Sequence, residues 1–159
     1  MMIIKKGDFS HPQVQNLIRI HLNGMHKNTP IENSFALDIS HLQKENISFY
    51  TLWHDDELLG CGAIQELSPM HAEIKSMRTH PNHLRKGIAS ELLKYFLKIS
   101  KQRNYKKVSL ETGKGAHFEA AIHLYQKFGF IKGKAFAEYT ESEHNQFFHL
   151  SLINEELKI

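Results

Sequence analysis

The chain has one cysteine, Cys61, among its 159 residues. No disulfide framework can exist, and a reducing compartment is the expected setting. No apolar run approaches membrane-span length, and Met1-Met2-Ile3-Ile4-Lys5-Lys6 is too short for a signal peptide. The cytoplasm is the expected location, with no membrane partner. Charge of one sign is scarce as well: the net value is +3. That excess suits an anionic small molecule and does not argue for nucleic acid. Although there are 12 histidines, no H-E-x-x-H and no Cys/His set occurs, so no metal is expected. No repeat, low-complexity tract or linker breaks the chain, which predicts one domain over residues 1–159. What is present is globular in kind: 41% hydrophobic and 23% charged residues, enough for a real core.

The positive charge is clustered. Lys86, Lys94, Lys98, Lys101, Arg103, Lys106 and Lys107 all lie in or after the turn Leu84-Arg85-Lys86-Gly87-Ile88-Ala89. A strand, Glu73 to Arg78, ends near Pro81 before it. A long amphipathic helix, about Arg85 to Arg103, carries Ile88, Leu92, Phe96 and Ile99 on one face. Strand, basic turn and helix N-terminus together make a phosphate site. The first-turn N–H groups lack intrahelical partners, and the helix dipole places partial positive charge there. Gly87 has no Cβ to obstruct an anion, while Arg85 and Lys86 add fixed charge. A plain basic helix start is the competing reading, but cations at that end oppose the dipole unless an anion is present.

Around this stretch the periodicities predict an α+β fold. Ile3 to Lys5 reads as a strand. Ser10-His11-Pro12-Gln13 carries a capping-box spacing before a helix over 12–25. Asn28-Thr29-Pro30 marks a break, Asn33 to Asp38 shows no pattern, and a short helix is expected at Ile39 to Lys44. Ile47–His54 and Leu58–Glu66 form a hairpin about Asp55-Asp56, and Ala72–Thr79 adds a third strand. After the long helix come a strand (Val108–Glu111), a helix (His117–Phe128, stopped by Gly129) and strands from Phe130 and over Gln146–Leu152. Cys61 lies in an apolar strand and reads as packing rather than as a nucleophile.

The turn Leu84–Ala89 resembles the acyl-CoA pyrophosphate loop of the GNAT superfamily of N-acetyltransferases. Leu124-Tyr125-Gln126-Lys127-Phe128-Gly129-Phe130 is similar to that superfamily's later motif, and the element order agrees over nearly the whole chain. The strings I-K-S-M-R-T-H-P, L-E-T-G and A-F-A-E-Y resemble one branch of small bacterial acetyltransferases. The resemblance implies a central mixed, twisted sheet of six or seven strands between helices, and acetyl-CoA as co-substrate. It implies acetyl transfer to a primary amine of a small molecule or peptide, directly within a ternary complex. Arg85, Lys86, Gly87, Ile88, Ala89 and Ser90 would hold the pyrophosphate; backbone near Met77, Arg78 and Thr79 would hold the pantetheine arm and polarise the thioester.

In the resemblance Glu73 is the candidate base, since an alkylammonium must lose a proton before it can attack. A half-exposed strand residue or a substrate-orienting carboxylate is the competing reading. Tyr125 is the candidate acid for the leaving thiolate, with ordinary core packing as its competitor. Two positions depart from the family pattern: Leu84 stands where Gln or Arg is usual, and Phe118 where an asparagine often is. The acceptor should meet residues 20–45 and the segment Phe136–Tyr139, with Glu32, Asp38 and Glu141 as possible attractors. His80 or His117 is a further candidate for the substrate side. A homodimer through the C-terminal strands is a family-level expectation. Two other readings remain: a non-catalytic acyl-CoA sensor of the same fold, and a nucleic-acid binder using the lysine-rich helix, which would show strong salt dependence.

Overall fold

The computed structural model describes residues 1–25 and 31–153. Seven strands and four helices follow in the order β1 (Met2–Lys6), α1 (Pro12–Met25), α2 (Ile31–Leu42), β2 (Ile47–His54), β3 (Glu57–Ser68), β4 (His71–Thr79), α3 (Ile88–Gln102), β5 (Lys107–Gly113), α4 (Glu119–Lys127), β6 (Ile131–Gly133) and β7 (Asn145–Ser151). The strands form one mixed sheet in the order β1-β2-β3-β4-β5-β7-β6. Only three residues of β4 pair in parallel with β5, from His71↔Lys107 to Glu73↔Ser109. This is the α+β class and strand count expected. The chain groups into two compact units: Met1–Gln65 with Ser76–Tyr95, and Glu66–Lys75 with the chain from Phe96 onward.

In the first unit, α1 buries Val14, Leu17, Ile18 and Leu22 in a core with Phe49, Trp53, Cys61 and Ala63. Its bounds agree with the sequence reading, but its start does not use the expected capping box. Asp8 accepts from Ser10, and His11 Nδ1 accepts from the Gln13 N–H at 3.1 Å. The Gln13 amide is engaged elsewhere: Nε2 donates to Asp56 O at 2.8 Å and Oε1 accepts from Leu58 N–H at 2.9 Å. Thus Gln13 clamps the β2–β3 turn, where Asp55 takes a positive φ.

Helix α2 replaces the expected loop and short helix. Phe35 and Ile39 pack against the core and Leu42 joins it, a spacing of four and three residues. The break expected at Asn28-Thr29-Pro30 lies outside the described residues, as does the Glu32 side chain.

In the second unit, β5 and β7 pair in register from Lys107↔Ser151 to Gly113↔Asn145. Side chains alternate between faces along each strand. Register therefore places Glu73, Ser109, Phe147 and His149 on one face, and Leu110, Phe148 and Leu150 on the other.

Candidate active site

Helix α3 begins at Ile88, not at Arg85 as the periodicity suggested. The reason is backbone geometry: Arg85 (φ 64°) and Gly87 (φ 78°) are both left-handed, which no α-helix accommodates. A Cβ on Gly87 would meet open space, so conformation and not crowding calls for glycine there. The Gly87 carbonyl accepts the first helical bond, from Glu91 N–H at 3.1 Å. Gly87 is thus the cap, and the N–H groups of Ile88, Ala89 and Ser90 are the helix's unpaired first-turn donors. Leu84 to Gly87 are exposed, with Leu84 at 60%. The loop's first position therefore presents an apolar side chain to solvent.

Two features fix this helix start. A Cβ on Gly60 would lie 2.7 Å from Ile88 Cγ2 and 3.1 Å from Arg78 O, so glycine lets α3 sit close upon β3. Beside the turn, Lys86 Nζ lies 3.1 Å from Nδ1 of buried His83, and His83 Nε2 lies 2.9 Å from Glu57 Oε2. An ammonium can only donate, so His83 accepts at Nδ1 and donates from Nε2 to the carboxylate. Lys86 is held at the loop by a three-residue chain.

In the same unit, Ser76 breaks β4 with a positive φ of 56° before Met77, Arg78 and Thr79. These three residues lie beyond the last parallel pair with β5, as the expected splay requires. The Arg78 side chain turns to α1, where Nε donates to His21 Nδ1 at 3.0 Å. Cys61 is buried, and burial pushes its thiol up to about 12. It stays protonated, in agreement with a packing role. His80 caps the short turn Pro81–His83 through Nδ1 and is spent structurally.

In the second unit, Glu73 is 2% exposed, which removes the half-exposed alternative. Tyr139 donates to its Oε2 at 2.5 Å. Burial raises the carboxyl above its ordinary range, Glu111 adds to this, and the Tyr139 hydrogen bond and Lys75 oppose it. A raised carboxylate is a stronger proton acceptor than a solvated one. Tyr125 lies on α4, whose last turn closes with Gly129 at φ 98° and Phe130 N–H returning to Tyr125 O at 3.0 Å. Its ring packs on Phe130 and Phe148, at 6.0 and 6.3 Å between centroids. Burial raises its phenol above the ordinary value, so it stays protonated at neutral pH. Phe148 points to the face opposite Glu73, so Glu73 and Tyr125 are not brought side by side; they lie on opposite faces of the sheet. Phe118, at the usual asparagine position, lays its ring over Gly113, where a Cβ would lie 2.5 Å away.

Sequence reading missed Tyr139 as the partner of Glu73, 66 residues away, and missed the His83–Glu57 pair. The only sequence signal was that Tyr139 closes the segment Phe136–Tyr139 expected near the acceptor.

A model of the acetyltransferase (GNAT) family matches residues 15–130, and the chain belongs to that family. It is 42% identical over 152 residues to the uncharacterized N-acetyltransferase YedL of Escherichia coli (strain K12), covering 96% of each chain. It is 43% identical over 146 residues to the uncharacterized N-acetyltransferase YsnE of Bacillus subtilis (strain 168), covering 92% of this chain and 97% of that one. Among solved structures, a candidate acyl-CoA N-acyltransferase from Klebsiella pneumoniae superposes with a TM-score of 0.77 at 26% identity, over 96% and 98% of the two chains. A GNAT family acetyltransferase from Elizabethkingia anophelis, solved with acetyl-CoA bound, gives 0.72 at 19% identity, over 95% and 98%. The protein is an acyltransferase.

Proposed function

We propose that residues 1–159 act as one domain that transfers the acetyl group of acetyl-CoA to the primary amine of a small molecule, directly within a ternary complex. The turn before α3 carries this reading. Two left-handed residues, Arg85 and Gly87, place Lys86 and the free N–H groups of Ile88, Ala89 and Ser90 at one helix start. Strained backbone and clustered donors at a helix N-terminus suit a diphosphate. The acetyl-CoA of the Elizabethkingia structure supports the same ligand.

Backbone groups of Met77, Arg78 and Thr79, past the end of β4–β5 pairing, bind the pantetheine arm and polarise the thioester carbonyl. Glu73 accepts a proton from the ammonium, and the free amine attacks the carbonyl carbon. The C–S bond breaks, the departing thiolate takes the Tyr125 phenolic proton, and the attacking nitrogen's second proton passes to solvent, from which the phenolate is reprotonated. The net reaction converts an ammonium and a thioester into an amide, a thiol and one proton released to water. Placing Glu73 and Tyr125 on opposite faces supports this division: the amine and the sulfur are served from different sides. Among the described residues Tyr125 has no hydrogen-bond partner for its hydroxyl, which leaves the proton free to give.

The test is thiol release from acetyl-CoA against a panel of primary amines, beside calorimetry with CoA. Saturable CoA binding competed by inorganic pyrophosphate, with amine-dependent thiol release, is the expected result. CoA binding without turnover on any amine would favour the sensor reading, and no CoA binding would end the proposal.

A further inference from the structure

Glu73 needs something to hold its carboxylate, and its partner lies in an irregular segment. Tyr139 belongs to the connection between β6 and β7, residues 134–144, which has no helix or strand. We propose that Tyr139 is the positioning residue of the base, and that a His71–Ser109–His149 chain centred on buried Ser109 anchors the loop that carries it. The inference rests on the reading of Glu73 as base.

The chain can be read proton by proton. His149 Nε2 lies 2.8 Å from Lys134 O. A carbonyl only accepts, so Nε2 bears the hydrogen and, in the neutral ring, Nδ1 accepts. Ser109 Oγ lies 2.6 Å from that Nδ1 and must donate to it. The same oxygen lies 2.7 Å from His71 Nε2, so it accepts from His71. One carbonyl at the loop's start therefore sets every tautomer. Ser109 is 0% exposed, so its two bonds cannot be exchanged for water at no cost. Burial, with Lys107 and His149 nearby, holds His71 below its ordinary value and so neutral.

The seat for His149 is built independently by glycine. A Cβ on Gly133 would lie 2.7 Å from His149 Cδ2, so any other residue would push the ring off Lys134. Two residues on, buried Phe136 makes the second anchor, with ring centroids 5.9 Å from His71, 5.6 Å from His149 and 5.8 Å from Phe147. Tyr139 N–H returns to Phe136 O at 3.1 Å, closing a turn. The tyrosine hydroxyl is thereby delivered to Glu73 Oε2.

Tyr139 is a permanent donor, because burial and the neighbouring Glu73 raise its phenol far above neutral pH. It occupies one carboxylate oxygen and leaves Oε1 to take the proton. The charged and titratable groups that face Glu73 are Tyr139 from the loop, His71 and Lys75 from its own strand, Glu111 from β5 and His149 from β7. Tyr139 donates only usefully to the ionised carboxylate, so removing it makes the carboxylate harder to ionise.

The experiment pairs pH–rate profiles with carbon-detected NMR titration of the Glu73 carboxyl in wild type and Tyr139→Phe. The variant keeps its ring contacts with Phe136 and Phe147, which preserves the fold. The expected result is a rise of about one pH unit both in the NMR midpoint and in the acid limb of kcat/KM, about tenfold less activity on that limb. The KM for acetyl-CoA should not move. An unchanged NMR midpoint overturns the inference. Glu73→Gln separates the two readings: if its acid limb persists, Glu73 is not the base, whatever Tyr139 does to its titration. For the anchor, Ser109→Ala should lower kcat/KM in wild type and add little in Tyr139→Phe. Fully additive losses would overturn that half.

Discussion

Two histidine chains, one in each compact unit, use the same chemistry under different conditions. Lys86–His83–Glu57 ends on a glutamate whose side chain is 61% exposed. His71–Ser109–His149 ends on a carbonyl, with a serine fully removed from solvent at its centre. The difference teaches how burial assigns duty. The open chain is screened and its energetic weight is small, which leaves Lys86 able to exchange partners. The serine at the centre of the closed chain has no water to fall back on, so its two bonds can hold the loop's anchor in one position.

The comparison sharpens most at Glu73, the buried carboxylate beside the closed chain. Glu73→Gln should lower kcat by about 100-fold or more, by thiol release. It should also raise the melting temperature at alkaline pH. The sign follows from burial: the folded carboxyl binds its proton more tightly than the unfolded one. Wild type therefore loses stability as pH rises from the ordinary carboxylate range through the raised value. The glutamine variant does not, so the two melting curves should converge toward pH 4 and separate above it. Equal curves at all pH values would contradict the buried charge.

Next in size is Ser109→Ala, which leaves two half-buried ring nitrogens short of a partner. Urea unfolding should show a loss of about 1–3 kcal/mol. Its counterpart on the open chain, Glu57→Gln, should cost under about 1 kcal/mol and change the Kd for CoA less than about threefold. Similar losses for both variants would break the contrast. The smallest effect is expected at Cys61. With its thiol up at about 12, it should resist Ellman's reagent at pH 8 in the folded protein and react only after denaturation.

The order of elements was legible because the periodic helices α1 and α3 carry clean apolar faces. Helix α2 was not, although Phe35, Ile39 and Leu42 have helical spacing. Ala36 and Leu37 interrupt the polar face with apolar residues, and Leu37 is 73% exposed. The stripe therefore had no visible edge. The start of α3 was misplaced because left-handed φ at Arg85 leaves no mark in composition. At the candidate site, the loop residues and Glu73 stood in local strings and could be read. Tyr139, Ser109 and His149 could not, since only strand pairing across β4, β5 and β7 brings them together. The Gln13 clamp escaped for a related reason: a capping-box spacing says nothing of a turn 43 residues away that competes for the same amide.

Glu73 and Tyr125 lie on opposite faces of one sheet. Under the proposed mechanism the proton taken from nitrogen and the proton given to sulfur are therefore different protons, each exchanged with solvent on its own side.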